Sequence, residues 1–221
     1  MNKFILTPKI QPDKSRLDKL LTQWSDSEDE EHIIDMWNHA LKIASPKVII
    51  REAEFDFEEN YVTNIGGVKI KSQMMQENFD GLAKVYPYAA SCGRELYDWY
   101  LSLGDVIEQY IADEISIIYL QEIIGYMYRY VEENIITDGK LAAMNPGSIE
   151  TWPLSGQRDL FAILETAESD AGITLTDSCL MLPHKASSGI LFSSAKEYSN
   201  CMYCPRITCP NRRDEFVGAA L

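Results

Sequence analysis

The sequence predicts an α+β fold: a mainly antiparallel (mixed) sheet packed by helices, including one long buried helix, with an N-terminal helical arm. Three observations carry that expectation. Extended segments gather between Val48 and Lys71 and again after Ile173, rather than alternating one for one with helices. Such segregation of strand and helix blocks favours α+β over a parallel α/β sheet. The stretch from Asp105 to about Asn134 is apolar on most sides, which fits a helix buried against sheet or helix. The first 45 residues read as helix, with Ile33, Met36, Trp37, Ala40, Leu41 and Ala44 at helical spacing.

Each element follows from local chemistry. Ser25 to Glu31 offers a cap and a run of acids at a helix start, where the helix dipole favours negative charge. Ser45-Pro46 ends that helix, because the residue before proline is pushed out of the α region. Val48–Ile50, Phe55–Phe57 and Tyr61–Ile65 are strand material, and Gly66-Gly67 turns the chain into the alternating Val68-Lys69-Ile70-Lys71. A short helix over Gln73–Gly81 and a strand over Lys84–Ala90 come next. Ser91-Cys92-Gly93 is a strand-to-helix turn leading to a helix from Arg94 to about Ser102. Asp105 with Glu108 has the form of a capping box at the head of the long helix. A turn at Asn145–Ser148 and a helix within Ser155–Ala167 follow. Ile173–Leu182 and Gly189–Phe192 are expected to be paired strands, and the chain closes in a cysteine- and proline-rich loop. The expected division is an arm over residues 1–45 and one α+β domain over 46–221, with its cysteine-rich tail at 200–213.

Composition excludes several function classes. The 221 residues carry 20 Lys+Arg against 34 Asp+Glu, a net charge of −14. Nucleic acid and anionic membrane surfaces both call for a cationic face, so neither is an expected partner. No run approaches a membrane span, and the N-terminus lacks the apolar core of a signal peptide, so a cytoplasmic location is expected. Phosphate-binding glycine loops, H-E-x-x-H and G-x-S-x-G are missing, and three histidines leave little material for a hydrolytic triad.

The sharpest chemical signal is Cys201-x-x-Cys204-x-x-x-x-Cys209. A C-x-x-C loop can bring two thiolates onto one metal, and a third cysteine nearby supplies most of a tetrahedron. Arg206, Arg212 and Arg213 would favour thiolate over thiol. A zinc or iron–sulfur centre and three reduced, metal-free cysteines are both compatible with the pattern. Cys179, Cys92 and His184 are candidate fourth ligands. Asp177, in an otherwise apolar strand pattern, either faces water or accepts a hydrogen bond from a ligand.

A family resemblance then emerges from the order of three segments. These are Asn145-Pro146-Gly147-Ser148-Ile149-Glu150-Thr151-Trp152-Pro153-Leu154, Leu175-Thr176-Asp177-Ser178-Cys179-Leu180-Met181-Leu182-Pro183, and Ser188-Gly189-Ile190-Leu191-Phe192. Together they resemble the activation (S-adenosylmethionine-binding) domain of cobalamin-dependent methionine synthase, and more closely its stand-alone form in anaerobic bacteria. The likeness runs from about Lys84 to Phe216. It implies an accessory role in reactivating or capping the corrinoid of a cobalamin-dependent methyltransferase. The partner would be a corrinoid protein, with cobalamin on the partner and S-adenosylmethionine as a further ligand. Pro183, His184, Lys185, Ser188 and Gly189 would lie against the corrin face, with Asp177, Pro146 and Gly147 lining the same cleft. The family's arginine clamp and tyrosine fall on Ala143 and Ser148, and alanine cannot supply a bidentate grip on a carboxylate. Two other readings remain: methyl transfer from S-adenosylmethionine to cobalt by the chain itself, and a metal-binding interaction module without ligand.

Overall fold

A computed structural model of the chain describes residues 2–24, 30–209 and 212–218. The chain opens with β1 (Lys3–Leu6), α1 (Lys14–Gln23) and α2 (Glu30–Ile43), followed by β2 (Lys47–Arg51). Then come β3 (Phe55–Glu58), β4 (Val62–Ile65), β5 (Val68–Lys71), α3 (Gln73–Phe79) and β6 (Tyr86–Ser91). Two helices follow, α4 (Arg94–Ser102) and α5 (Val106–Asn134), then β7 (Lys140–Met144), α6 (Gln157–Leu164) and α7 (Ala167–Ala171). The last elements are β8 (Thr174–Leu175), β9 (Met181–Leu182), β10 (Ala186–Ser194) and α8 (Asn200–Tyr203).

The described residues form an antiparallel sheet in the order β1-β2-β6-β10-β7, with a second sheet β3-β4-β5 and a small β8-β9 hairpin. The architecture is α+β. Alternation along the central strands sends side chains to two separate cores. Ile190 and Phe192 join Ile49, Ala89 and Met144 in a core closed by β4, β5, α3, α6 and α7. Leu191 joins Val48, Ile50, Tyr88 and Ala90 in a core closed by α2, α4 and α5. The long helix buries Ile111, Ile115, Tyr119, Ile123, Met127 and Val131, one face at helical spacing. Asp105 caps it by accepting from the Ile107 and Glu108 backbone N–H groups at 2.7 and 3.1 Å. The Glu108 side chain meets His32 at 2.9 Å instead of closing the expected capping box.

Several expectations are corrected. The N-terminal segment is not helix throughout: β1 pairs with β2 and forms an edge of the main sheet. Its cap at Ser25–Asp29 lies outside the described residues. Ile173–Leu182 is not one strand, and it does not pair with β10. It folds back on itself as β8-β9, while β10 pairs with β6 and β7. The cause is local: Thr176, Asp177 and Ser178 are turn formers, and the Thr176 backbone and hydroxyl bond Cys179 and Leu180 across the loop. The tail, expected to be loop, contains α8.

Phe192 shows what the core demands. Its ring is fully buried and lies 5.1 Å from Phe79 and 5.4 Å from Tyr198, centroid to centroid. Phe192→Ala should cost about 3–5 kcal/mol in urea unfolding. Val106→Ser, at a side chain 77% exposed, should change little.

Candidate functional site

Of the sequence-selected residues, those on the turns after β7 and before β10 lie at one end of the main sheet. There β6 ends in Ser91-Cys92-Gly93, β7 ends in Asn145-Pro146-Gly147, and β10 begins after Pro183-His184-Lys185. The register places Ala186 opposite Ser91, and Ile190 opposite Met144. Backbone demands shape this end. Gly93 has φ +97°, and a Cβ there would sit 2.4 Å from the Ser45 carbonyl oxygen. A Cβ on Gly189 would sit 2.5 Å from the Met144 carbonyl oxygen and 2.6 Å from Asn145 Nδ2. Both positions require glycine.

Pro183, Ser188 and Gly189 are buried, so they position the turn from inside, and Pro146 is buried likewise. The Ser188 hydroxyl donates to Gln157 Oε1 at 2.7 Å, tying β10 to the start of α6. His184 and Lys185 reach out of the turn and converge on Asp113 of α5. His184 Nε2 lies 3.0 Å from Asp113 Oδ1, and Lys185 Nζ lies 2.8 Å from the same oxygen. Tyr97 and Tyr100 of α4 bracket the imidazole at 5.0 and 4.9 Å. Burial pushes the Asp113 carboxyl up, but its bonds and charge contacts with Lys185 and His184 outweigh that and hold it below the usual carboxylate range.

Beneath the turn lies a void of about 10 Å³, lined in part by Cys92, Ser116 and Lys185, with room for a single water. A small molecule therefore has no cavity here, and whatever meets His184 meets a surface. The Cys92 thiol donates to the Ser116 carbonyl at 3.4 Å, and burial pushes it up to about 12. It is a core residue rather than a nucleophile.

Asp177 sits exposed on the turn between β8 and β9, not within a strand. Arg158 of α6 donates to its backbone carbonyl, and to Cys179 Sγ at 3.1 Å. Gly147, at φ +80°, is exposed, and its N–H donates to the Trp152 carbonyl at 2.8 Å. Sequence reasoning missed the polar network that joins these turns. Asn145 Nδ2 donates to the Tyr88 hydroxyl at 2.8 Å and to the Ser188 carbonyl at 2.7 Å, and Asn145 Oδ1 accepts from Asn200 at 2.6 Å. Tyr128 of α5 also bonds the Tyr88 hydroxyl, which burial pushes up. Asn145 was visible only as a turn former, because its partners lie 43 to 57 residues away in sequence.

The cysteine tail is organised otherwise than its spacing suggested. Among the described residues no group of three or more His, Cys, Asp and Glu side chains is placed to hold a metal ion. The expected zinc or iron–sulfur centre thus has no ligand set there. Arg212 gathers the tail instead, donating to the carbonyls of Cys201, Cys204, Arg206 and Asp214. The arginine expected to face thiolates is occupied by backbone oxygens.

A second opening lies along β7, the outer strand of the sheet. It is a groove of about 480 Å³ lined by Lys140, Leu141, Ala142, Lys196, Met202 and Val217, with Glu197, Asp214 and Glu215 also on its walls. Its volume suits a nucleoside-sized ligand, and both charge signs are present for a zwitterion. Lys140 is engaged with Glu197 at 2.8 Å. Among the described residues no helix is long and apolar enough to cross a membrane.

Comparison with known proteins adds one finding. No family model matches the sequence, and no curated protein matches it. Among solved structures, the chain is similar to the crystal structure of the MetH reactivation domain bound to AdoHcy. The TM-score is 0.60 at 13% sequence identity, covering 90% of this chain and 81% of that one. The two share a fold.

The Asp113 cluster makes a pH prediction. A carboxyl held below its unfolded value adds stability that is present above that value, 3.8, and lost as pH falls through the folded value. Wild type should therefore exceed Asp113→Asn in urea stability above about pH 5, and the gap should narrow as pH falls below 3.8. A gap independent of pH would show that the charge of Asp113 does not matter.

Proposed function

We propose that the chain docks on the corrin-bearing domain of a cobalamin-dependent methyltransferase, of methionine synthase type, and serves the reductive reactivation of its corrinoid. The observation that carries this reading is the fold likeness to a reactivation domain along nine-tenths of the chain. The resemblance read from the turn segments supports the same reading, as does the start of β10 beside the ends of β6 and β7. Within this reading His184 and Lys185 present the surface that meets the corrin, and Asp113, Ser188 and Gly189 hold the turn that carries them.

S-adenosylmethionine is the second ligand in this proposal. When bound it supplies a methyl group to reduced cobalt, the electron coming from an external one-electron donor. The groove beside β7 would hold it, with Lys196 available to its carboxylate, Lys140 being paired with Glu197, and the acidic wall available to its ammonium and hydroxyl groups. Its carboxylate would be held by a lysine point charge in place of an arginine fork at position 143, a weaker and less directional grip.

Two titrations test the proposal. Adding the protein to a cobalt(II) corrinoid protein under anaerobic conditions should change the cobalt absorption spectrum, and an unchanged spectrum at high micromolar concentrations of both would end the docking role. Calorimetry with S-adenosylmethionine should show binding that Lys196→Ala weakens about tenfold, the effect of one charge-assisted bond of roughly 1.4 kcal/mol. No binding to the wild-type protein would remove this ligand while leaving the docking role standing.

A further inference from the structure

We propose that the groove between residues 8–12 and the end of α2 binds a small carboxylic acid with an apolar body and an oxygen acceptor at its far end. The groove lies at the β1 edge of the main sheet, the edge opposite β7, so the inference is independent of the docking role. Its volume of about 460 Å³ falls in the range of small-molecule sites. Residues 8–12 form a strap along it that is tied at both ends. β1 pairs with β2 before the strap, and Asp13 caps α1 after it, accepting from the Ser15 backbone N–H at 2.7 Å. Pro8 and Pro12 fix their own φ and hold the residue before each out of the helical region. The strap is therefore set in shape before any ligand arrives, which lowers the ordering cost of binding.

Tyr119 of α5 decides the chemistry. It lines the groove and is fully buried, yet its hydroxyl has no hydrogen-bond partner among the described residues. Buried hydroxyls are nearly always bonded, and an unpaired one is destabilising, so this group calls for an acceptor from outside the chain. Burial pushes the Tyr119 hydroxyl above the usual tyrosine range, so it keeps its proton and can donate. Ile10, Leu41, Ala44 and Pro46 give the groove an apolar lining suited to a hydrocarbon body. Lys9 and Gln11 also line it and are exposed, and neither side chain has an ion-pair or hydrogen-bond partner among the described residues. In a chain with a net charge of −14, Lys9 is thus a cation without a carboxylate of its own, and a ligand carboxylate complements it. The order of groups runs from a buried donor through an apolar lining to an exposed cation.

The test titrates the full chain with three probes, followed by heteronuclear NMR. They are hydrocinnamate, para-methoxyhydrocinnamate, and the alcohol corresponding to the latter. The amides of residues 8–12 should shift and saturate with the methoxy acid. That probe should bind about two- to tenfold tighter than hydrocinnamate, the effect of one neutral hydrogen bond. It should bind about two- to fivefold tighter than the alcohol, the effect of one exposed ion pair. Tyr119→Phe keeps the ring and should erase the preference for the methoxy group without lowering the thermal midpoint, because it removes an unpaired polar atom. Lys9→Gln should erase the preference for acid over alcohol. Failure of all three probes to saturate, or preferences that survive both substitutions, overturns the site. A lower thermal midpoint for Tyr119→Phe overturns it too, since the hydroxyl would then have a partner in the free protein. None of these probes carries a corrin or a nucleoside, so each of these results leaves the docking role standing.

Discussion

The structure depends on burying one strand from both sides. β10 lies between β6 and β7 and sends Ile190 and Phe192 into one core and Leu191 into the other, all fully buried. A slip of one residue would exchange these two sets and mismatch both cores at once. The register is therefore fixed, and so is the point where the strand starts. Gly189 admits the Met144 carbonyl and Asn145 at distances no Cβ allows. Asn145 then bonds the backbone of Ser188. Packing in the two cores and close approach at Gly189 together decide where His184 and Lys185 emerge.

Much of this was legible because it is local. The long helix announces itself through its apolar content and Asp105, and the Gly66-Gly67 turn through its alternating flanks. What stayed hidden is nonlocal. β1 is a short N-terminal segment whose identity as strand comes from its partner β2, not from its own pattern. The Ile173–Leu182 run is apolar enough to read as one strand, and Thr176-Asp177-Ser178 outweighs that by bonding within itself. Of the site, the turn residues were visible as a group, whereas Asp113 and Gln157 were not. Each looks like an ordinary polar residue on a helix until the fold brings it to His184 or Ser188.

Charge distribution sharpens the picture. A chain with a net charge of −14 has anions to spare, so its cations mark where attraction is spent. Arg212 spends four carbonyl contacts on holding the tail closed, and Arg158 fastens the β8-β9 turn to α6. Lys185 neutralises Asp113 beneath the exposed imidazole. Each of these cations stabilises a loop at the margin of the sheet, where hydrophobic burial is least able to do so.

Distance constrains how the corrin-facing turn and the β7 groove could cooperate. Methyl transfer needs its reacting atoms within about 3–3.5 Å. The groove begins at Lys140–Ala142, and Ala142 pairs with Phe192, six residues along β10 from Ala186. At roughly 3.4 Å per residue that separation is about 20 Å. A donor in the groove could therefore reach the cobalt only if the docked corrin sets its metal over the β7 edge, with the Pro183–Lys185 turn meeting the rim of the macrocycle. That edge carries backbone N–H and C=O groups without a neighbouring strand among the described residues. Backbone groups there can bond a ligand whatever the side chain at position 143, which is how a site of this kind could tolerate alanine there.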